Sequence, residues 1–195
     1  PLAGSDTTRG FTMIEQSRET QRRIIAAHIP PRLRGLSMLP GEERALEGVK
    51  AKPQVRVTTY VENVLRGDVV AAQGRYKTCG VGLWATNARA TEFVTALMRD
   101  FMVLDDYTGL YVTADAYLES MRPDGEGQFS IQAAEASFMV LAYAGQESMT
   151  DWTRATIRSL LMKRYEAGLP TLVSATVEPT EYLVESLADS MFIRI

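Results

Sequence analysis

From Gly80 onwards, short unbroken apolar blocks alternate with longer stretches in which apolar residues recur every three or four positions. The blocks "GVGLWA" (80–85), "GLYVTA" (109–114), "SFMVLAYA" (137–144), "LPTLVSAT" (169–176) and "MFIRI" (191–195) have the length and continuity of strands buried on both faces. Between them, "TEFVTALMRDFM" (91–102) lines up Phe93, Leu97 and Phe101, and "DAYLESMR" (115–122) and "PTEYLVESLA" (179–188) follow as further helices. The longest helix is predicted over 151–168. Thr150 is its N-cap, Asp151 favours its first turn, and Gly168 is its stop. Trp152, Ile157, Leu160, Leu161 and Tyr165 form its apolar stripe, which leaves Arg154, Arg158, Lys163 and Arg164 as a positive, solvent-facing side. Strands separated by helices of this length imply right-handed crossovers and a parallel sheet covered on both faces, an α/β domain.

The first 79 residues are less regular. A weakly amphipathic helix is expected over 13–27, carrying Arg18, Arg22 and Arg23 and stopped by Pro30 and Pro31. A stretch broken by Pro and Gly follows, then a second helix at about 55–65 with Val57, Tyr60, Val61 and Val64 in register, and a connector that contains Cys79. The opening "PLAGSDTTRG" reads as a loose end.

In a parallel sheet of this type, ligands sit at the carboxyl ends of the strands. The turn after the first strand reads "ATNARATEF". A phosphate-binding loop needs glycines for close backbone approach, a Lys for the phosphates and a hydroxyl for magnesium. This turn has neither Gly nor Lys. Arg89 is its cation, Glu92 adds an opposing charge, and Thr91 stands where the hydroxyl would be. The third strand ends in Ala142 and Tyr143, where a nucleotide hydrolase would place carboxylates for magnesium and for polarising water. Ser174 and Thr176, at the end of the fourth strand, suit either a γ-phosphate sensor or simple strand-end hydrogen bonding. Asp105 and Asp106 look like a magnesium strand, but Asp105 lies fourteen positions past Thr91 and the intervening helix uses most of them. They read as a solvated turn, because a crossover takes at least about ten to twelve residues.

Composition narrows the chemistry further. With 195 residues, 46% of them apolar and 23% charged, the chain fits one domain of ordinary size. A net charge of −3 gives no global attraction to nucleic acid, so any DNA contact would need a local basic patch. One Cys and one His, His28, are too few for a zinc site or an internal disulfide, and no metal is expected. No apolar run is long enough to span a bilayer, and no signal peptide is recognisable, so the expected setting is cytoplasmic.

The order of these pieces resembles the AAA+ ATPases of the DnaC and IstB type, helicase loaders and transposition helpers, over about Ala26 to Ile195. "AAHIPPRLRG" is similar to that family's leading segment, and "LYVTADAYLESMR" to its second strand and helix. The most specific piece is "FMVLAYAGQESMTDWTRATIRSLLMKRYEAGLPTLVSAT", which resembles the magnesium strand, Gly, acidic turn, helix ending in Arg-Tyr, and Pro-Thr-initiated sensor strand. "ESLADSMFIRI" is similar to the final helix and strand. Against that pattern Ala90 takes the Lys position, Ala142 and Tyr143 the acidic pair, Thr176 the sensor Asn, and Ser190 the first of two closing arginines, leaving Arg194.

The resemblance implies a three-layer αβα, P-loop-NTPase-like sheet of about five strands without a clear lid domain, at 31–195, preceded by a tail and short helix at 1–30. It implies a pseudo-ATPase that binds no cofactor, with a degenerate nucleotide site at Asn87, Arg89, Ala90, Thr91, Ala142, Tyr143 and Thr176. The function expected is a non-hydrolysing adaptor in DNA replication, in a bacterial or phage-infected cytoplasm, that binds a replicative helicase or its loader. Its contact candidates are Arg18, Arg22, Arg23, Arg154, Arg158, Lys163, Arg164 and Arg194. Single-stranded DNA and a second copy of the chain remain open as further partners. Two alternatives stay beside it: an active, divergent ATPase loader using ATP and magnesium through Arg89, Thr91 and Asp105 or Asp106, and an IstB-like DNA-binding transposition helper.

Overall fold

The computed structural model describes residues 18–37, 82–86, 89–104 and 108–194. The helix expected at 55–65, Cys79, Asp105 and Asp106 lie outside them, as does the part of the 13–27 helix before Arg18.

A helix over 18–26 (α1) leads into a 3-10 turn at Pro31–Leu33. Strand β1 (Gly82–Ala85) is followed by α2 (Ala90–Leu104), β2 (Gly109–Thr113), α3 (Ala114–Ser120) and α4 (Gln128–Glu135). Then come β3 (Phe138–Ala144), α5 (Asp151–Glu166), β4 (Thr171–Ala175), a 3-10 turn at Pro179–Glu181, α6 (Glu185–Met191) and β5 (Phe192–Arg194). The strands form one sheet in the order β2-β3-β4-β1-β5, and every pairing is parallel. The helix expected over 179–188 is instead a 3-10 turn and a separate short helix, because Pro179 opens the first and Val184 is an extended N-cap before the second.

Two apolar clusters lie one on each face of the sheet. On one, Leu83, Ala85, Val140 and Leu172 pack against Phe93, Val94 and Leu97 of α2 and against Ile24, Ala27, Ile29 and Leu33 of the leading segment. On the other, Trp84, Met139, Leu141 and Val173 pack against Leu118, Ala133, Ile157, Leu160, Leu161 and Met191 from α3 to α6. Successive strand residues alternate between the clusters, as the two-residue period of a strand requires. The leading segment is tied down by backbone as well as by packing, since the Tyr111 N–H of β2 donates to the Ala27 carbonyl at 2.7 Å.

Local chemistry fixes the element ends. The Thr150 hydroxyl accepts from the Thr153 N–H at 3.1 Å, capping α5. At its other end Gly168 adopts φ 69°, which lets Leu169 N–H reach the Arg164 carbonyl (2.8 Å) and Gly168 N–H the Tyr165 carbonyl (3.0 Å). This is the Schellman closure, and a glycine meets its left-handed requirement at least cost. Gly82 starts β1 for a different reason: a Cβ there would stand 2.2 Å from the Thr171 carbonyl and 2.7 Å from the Phe192 ring.

Candidate functional site

The carboxyl ends of β1, β3 and β4 meet the start of α2, and there β3 loses its regular alternation. Leu141 pairs with Val173 and Ala144 with Ala175, so Ala142 and Tyr143 together stand opposite Ser174. This is a β-bulge. Tyr143 takes φ 62°, a left-handed conformation that costs a non-glycine residue about 1–2 kcal/mol. The extra residue turns Tyr143 back toward the α2 face, where it packs beside Ala142, while Ala144 resumes on the opposite face.

A small polar network holds the bulge. The Tyr143 N–H donates to the Ser174 Oγ at 3.1 Å, and that hydroxyl is bonded in turn to the Thr91 Oγ1 at 2.8 Å. Ser174 is 1% exposed. The Thr91 carbonyl accepts from the Thr95 hydroxyl one turn on. Above the bulge, Arg32 Nη2 donates to the Tyr143 hydroxyl at 2.8 Å, linking the leading segment to the end of β3. The nearby Tyr111 hydroxyl is buried with no partner of good hydrogen-bond geometry among the described residues, and burial, then the proximity of Tyr143, push its pKa up. Among the predicted site residues, Ala90 and Ala142 present buried methyl groups, and Arg89 bonds Glu92 at 2.7 Å on the surface. Thr176 is exposed with its hydroxyl 3.5 Å from the Ala144 carbonyl, and Asn87 lies outside the described residues. Thus the structure brings Ala90, Thr91, Ala142 and Tyr143 together, with Ser174 as their connector. A magnesium ion held against phosphates ordinarily keeps one or two carboxylates as ligands. The described oxygen donors at this spot are two hydroxyls bonded to each other.

The acid that follows β3 is engaged elsewhere. Glu147 accepts from the Gly145 N–H at 2.8 Å through Oε2 and from the Tyr182 hydroxyl through Oε1. Tyr182 is fully buried, and burial followed by its bond to Glu147 raises its pKa strongly. Glu147 therefore fastens the β3–α5 turn to the segment before α6.

The basic candidates divide sharply. Arg164 was expected on the wet side of α5 but is 0% exposed. Its guanidinium donates to Thr171 Oγ1 (2.8 Å) and to the carbonyls of Ala133 (2.8 Å), Ala136 (2.8 Å) and Pro170 (2.7 Å). Burial lowers its pKa to about 10, which leaves it charged at neutral pH. Spacing carried the signal: Arg164 continues the run Ile157, Leu160, Leu161 at helical intervals. Its charge argued for solvent, but the last carbonyls of α4 satisfy the guanidinium inside. Arg158 is exposed, although its Nε donates to the Tyr182 carbonyl at 2.7 Å, and Arg154 pairs with Glu181 at 3.6 Å. Lys163 is exposed, so the positive face of α5 is smaller than its sequence suggests. At the ends of the chain, Arg18 and Arg22 are exposed, Arg22 stands 3.8 Å from Glu19, Arg23 reaches Thr20 at 3.5 Å, and Arg194 pairs with Asp189 at 2.8 Å. His28 takes φ 60° and meets Phe129 edge-on at 5.7 Å.

Trp152 also departs from expectation. It is 44% exposed, and the buried side of α5 runs instead through Thr153, Ile157, Leu160, Leu161 and Arg164. Helix α4, which sequence reasoning missed altogether, supplies the carbonyls that make room for Arg164.

No family model and no curated protein sequence matches the chain. Solved structures do. The crystal structure of DnaI superposes with a TM-score of 0.57 at 13% identity, covering 86% of this chain and 91% of that one. The DnaC helicase loader gives 0.55 at 14% identity, covering 76% and 92%. AMPPCP-bound DnaA from Aquifex aeolicus gives 0.51 at 12% identity over 76% of this chain, which spans 48% of that one, about half its length. Identities this low speak for the fold alone. Among the described residues no helix is long and apolar enough to cross a membrane. The chain has an α/β, AAA+-like fold with an all-parallel sheet, similar to the folds of helicase loaders and DnaA replication initiators.

Proposed function

We propose that the protein is a non-hydrolysing, AAA+-like adaptor of DNA replication that binds a replicative helicase or a helicase loader. The observation that supports this reading is the bulge at the end of β3. Where nucleotide hydrolysis calls for carboxylates, Ala142 and Tyr143 face α2, and the Thr91 hydroxyl is spent on Ser174. Positioning magnesium and developing charge is nearly all that a protein contributes to phosphoryl transfer. A site that gives those positions to a methyl group and a tyrosine keeps the scaffold and gives up the reaction. The proteins whose folds it shares include a helicase loader, and an adaptor needs no more than their surfaces. Arg18 and Arg22 on the exposed side of α1 are suited to steering an acidic partner. A DNA-binding helper is the weaker reading, since the positive face of α5 loses Arg164 to the core.

The test pairs two measurements. Saturating ATP with magnesium is expected to leave the melting temperature unchanged, whereas a ligand at a hundred times its Kd would add about 2.7 kcal/mol. A magnesium-dependent rise would overturn the non-hydrolysing assignment and favour the active ATPase. In a nuclease-treated pull-down from the host, a replicative helicase or loader is expected to be retained. Nucleic acid recovered without any replication protein would point to the DNA-binding helper.

A further inference from the structure

A cleft of about 480 Å³ opens beside the carboxyl end of β2, between α3, the β3–α5 turn and the start of α5, with neither Tyr143 nor Ser174 in its lining. Its described walls carry three carboxylates, Asp115, Glu119 and Glu147, against one cation, Arg122. Arg122 is already paired with Glu119 at 3.2 Å, and Glu147 is held by Gly145 and Tyr182. Asp115 is exposed and has no partner among the described residues. The cleft is also lined by Trp152 of α5, which is 44% exposed.

We infer that this cleft is a docking pocket for an arginine side chain of a protein partner, with the guanidinium over the Trp152 indole and paired with Asp115. An exposed indole and an unpaired carboxylate lining the same cleft offer a cation both a quadrupole face and a charge-assisted hydrogen bond. Guanidinium suits the pair better than ammonium, because it is planar, stacks on aromatic rings and is less strongly hydrated. The same walls disfavour phosphate. The nearby N-terminus of α5, which would attract an anion, is capped by Thr150 and faced by Asp151. A nucleobase stacked on Trp152 would bring its phosphates toward three carboxylates. Trp and Arg are moreover the residues most enriched where binding energy concentrates at protein interfaces. The assignment does not depend on the bulge or on whether nucleotide binds.

The probe is a blocked Gly-Arg-Gly tripeptide titrated into the full chain, read by the indole N–H resonance of Trp152. Trp84 is buried with its Nε1 bonded to the Val177 carbonyl, so it serves as an internal control. The arginine peptide is expected to shift the Trp152 resonance saturably and to leave that of Trp84 in place. The citrulline peptide, which keeps the shape and loses the charge, should bind about tenfold more weakly. Asp115→Asn should weaken the arginine peptide by a similar factor, with the melting temperature lowered by no more than about 2–4 °C, because Asp115 lies in the first turn of α3. Equal binding of arginine and citrulline peptides, indifference to Asp115→Asn, or no saturable shift would overturn the assignment. A shift of Trp152 by oligothymidine in place of the arginine peptide would overturn it in favour of nucleic acid.

Discussion

Replacing Ser174 by Ala removes one oxygen and opens almost no cavity, yet it unmakes both hydrogen bonds of the bulge. The Tyr143 N–H, partly buried beside a Ser174 that is 1% exposed, is then left without its acceptor, at a cost within the about 1–3 kcal/mol of an orphaned donor. The Thr91 hydroxyl, only partly buried, loses a bond of about 0.5–1.5 kcal/mol. The expected destabilisation is therefore about 2–4 kcal/mol, several times that of a typical surface change. For a protein of this size each kcal/mol moves the melting temperature by about 2–4 °C. Thr91→Ala should cost about 1 kcal/mol, because Ser174 can still accept from the Tyr143 N–H. The two changes share a bond, so the double variant should cost less than their sum. Urea unfolding of the four proteins, with the midpoint shifted and the slope unchanged, measures all three quantities. If Ser174→Ala cost no more than Thr91→Ala, the bulge would not depend on that hydroxyl, and Ser174 would be freed for a sensor role.

Alkaline pH should unfold the protein from about pH 10 upward. Burial raises the pKa of Tyr111, Tyr117 and Tyr182, so the unfolded chain loses these protons before the folded one does. Their contribution to stability is complete below the ordinary phenol pKa and is lost above it, at about 1.4 kcal/mol per pH unit for each phenol. Tyrosinate absorbance rising together with the loss of circular dichroism would bear this out, and separate transitions would contradict it. Arg164→Leu is expected to cost about 3 kcal/mol in urea unfolding, since the buried Ala133 and half-buried Ala136 carbonyls lose this donor and the Pro170 carbonyl is left with the Met139 N–H at 3.3 Å, while relief from burying a cation offsets part of the loss. Arg164→Lys should recover part of it, and a neutral Leu variant would refute the carbonyl argument. Gly168→Ala should destabilise by about 1 kcal/mol through its positive φ, and a gain in stability would show that the helix end had relaxed.

Much of the fold was legible because its strands are unbroken apolar blocks and its longest helix carries its own boundaries, Thr150 and Gly168. The sites were legible by position but not by conformation. "SFMVLAYA" is apolar throughout, so neither period nor composition marks the residue at which the strand bulges, and Tyr143 is not a residue that advertises a positive φ. Helix α4, "QFSIQAAE", went unread because it offers one well-buried position, Ala133, and its N-cap Gly127 has no side chain to signal a start. Arg164 and Trp152 were exchanged for a common reason. Residue type assigned the arginine to water and the tryptophan to the core, whereas helical spacing from Ile157 and Leu160 favours the arginine.

The bond from the Tyr111 N–H to the Ala27 carbonyl bears on how this protein can associate with others. Strand β2 is the outermost of the sheet, and an outermost strand is a template onto which a foreign strand can be added. With the donor in the middle of this five-residue strand already taken by the protein's own chain, an incoming strand cannot complete a ladder there without first displacing the leading segment. Strand addition is thereby discouraged on this side, both as a route to aggregation and as a mode of recognition. Partners that approach from β2 must be read by side chains.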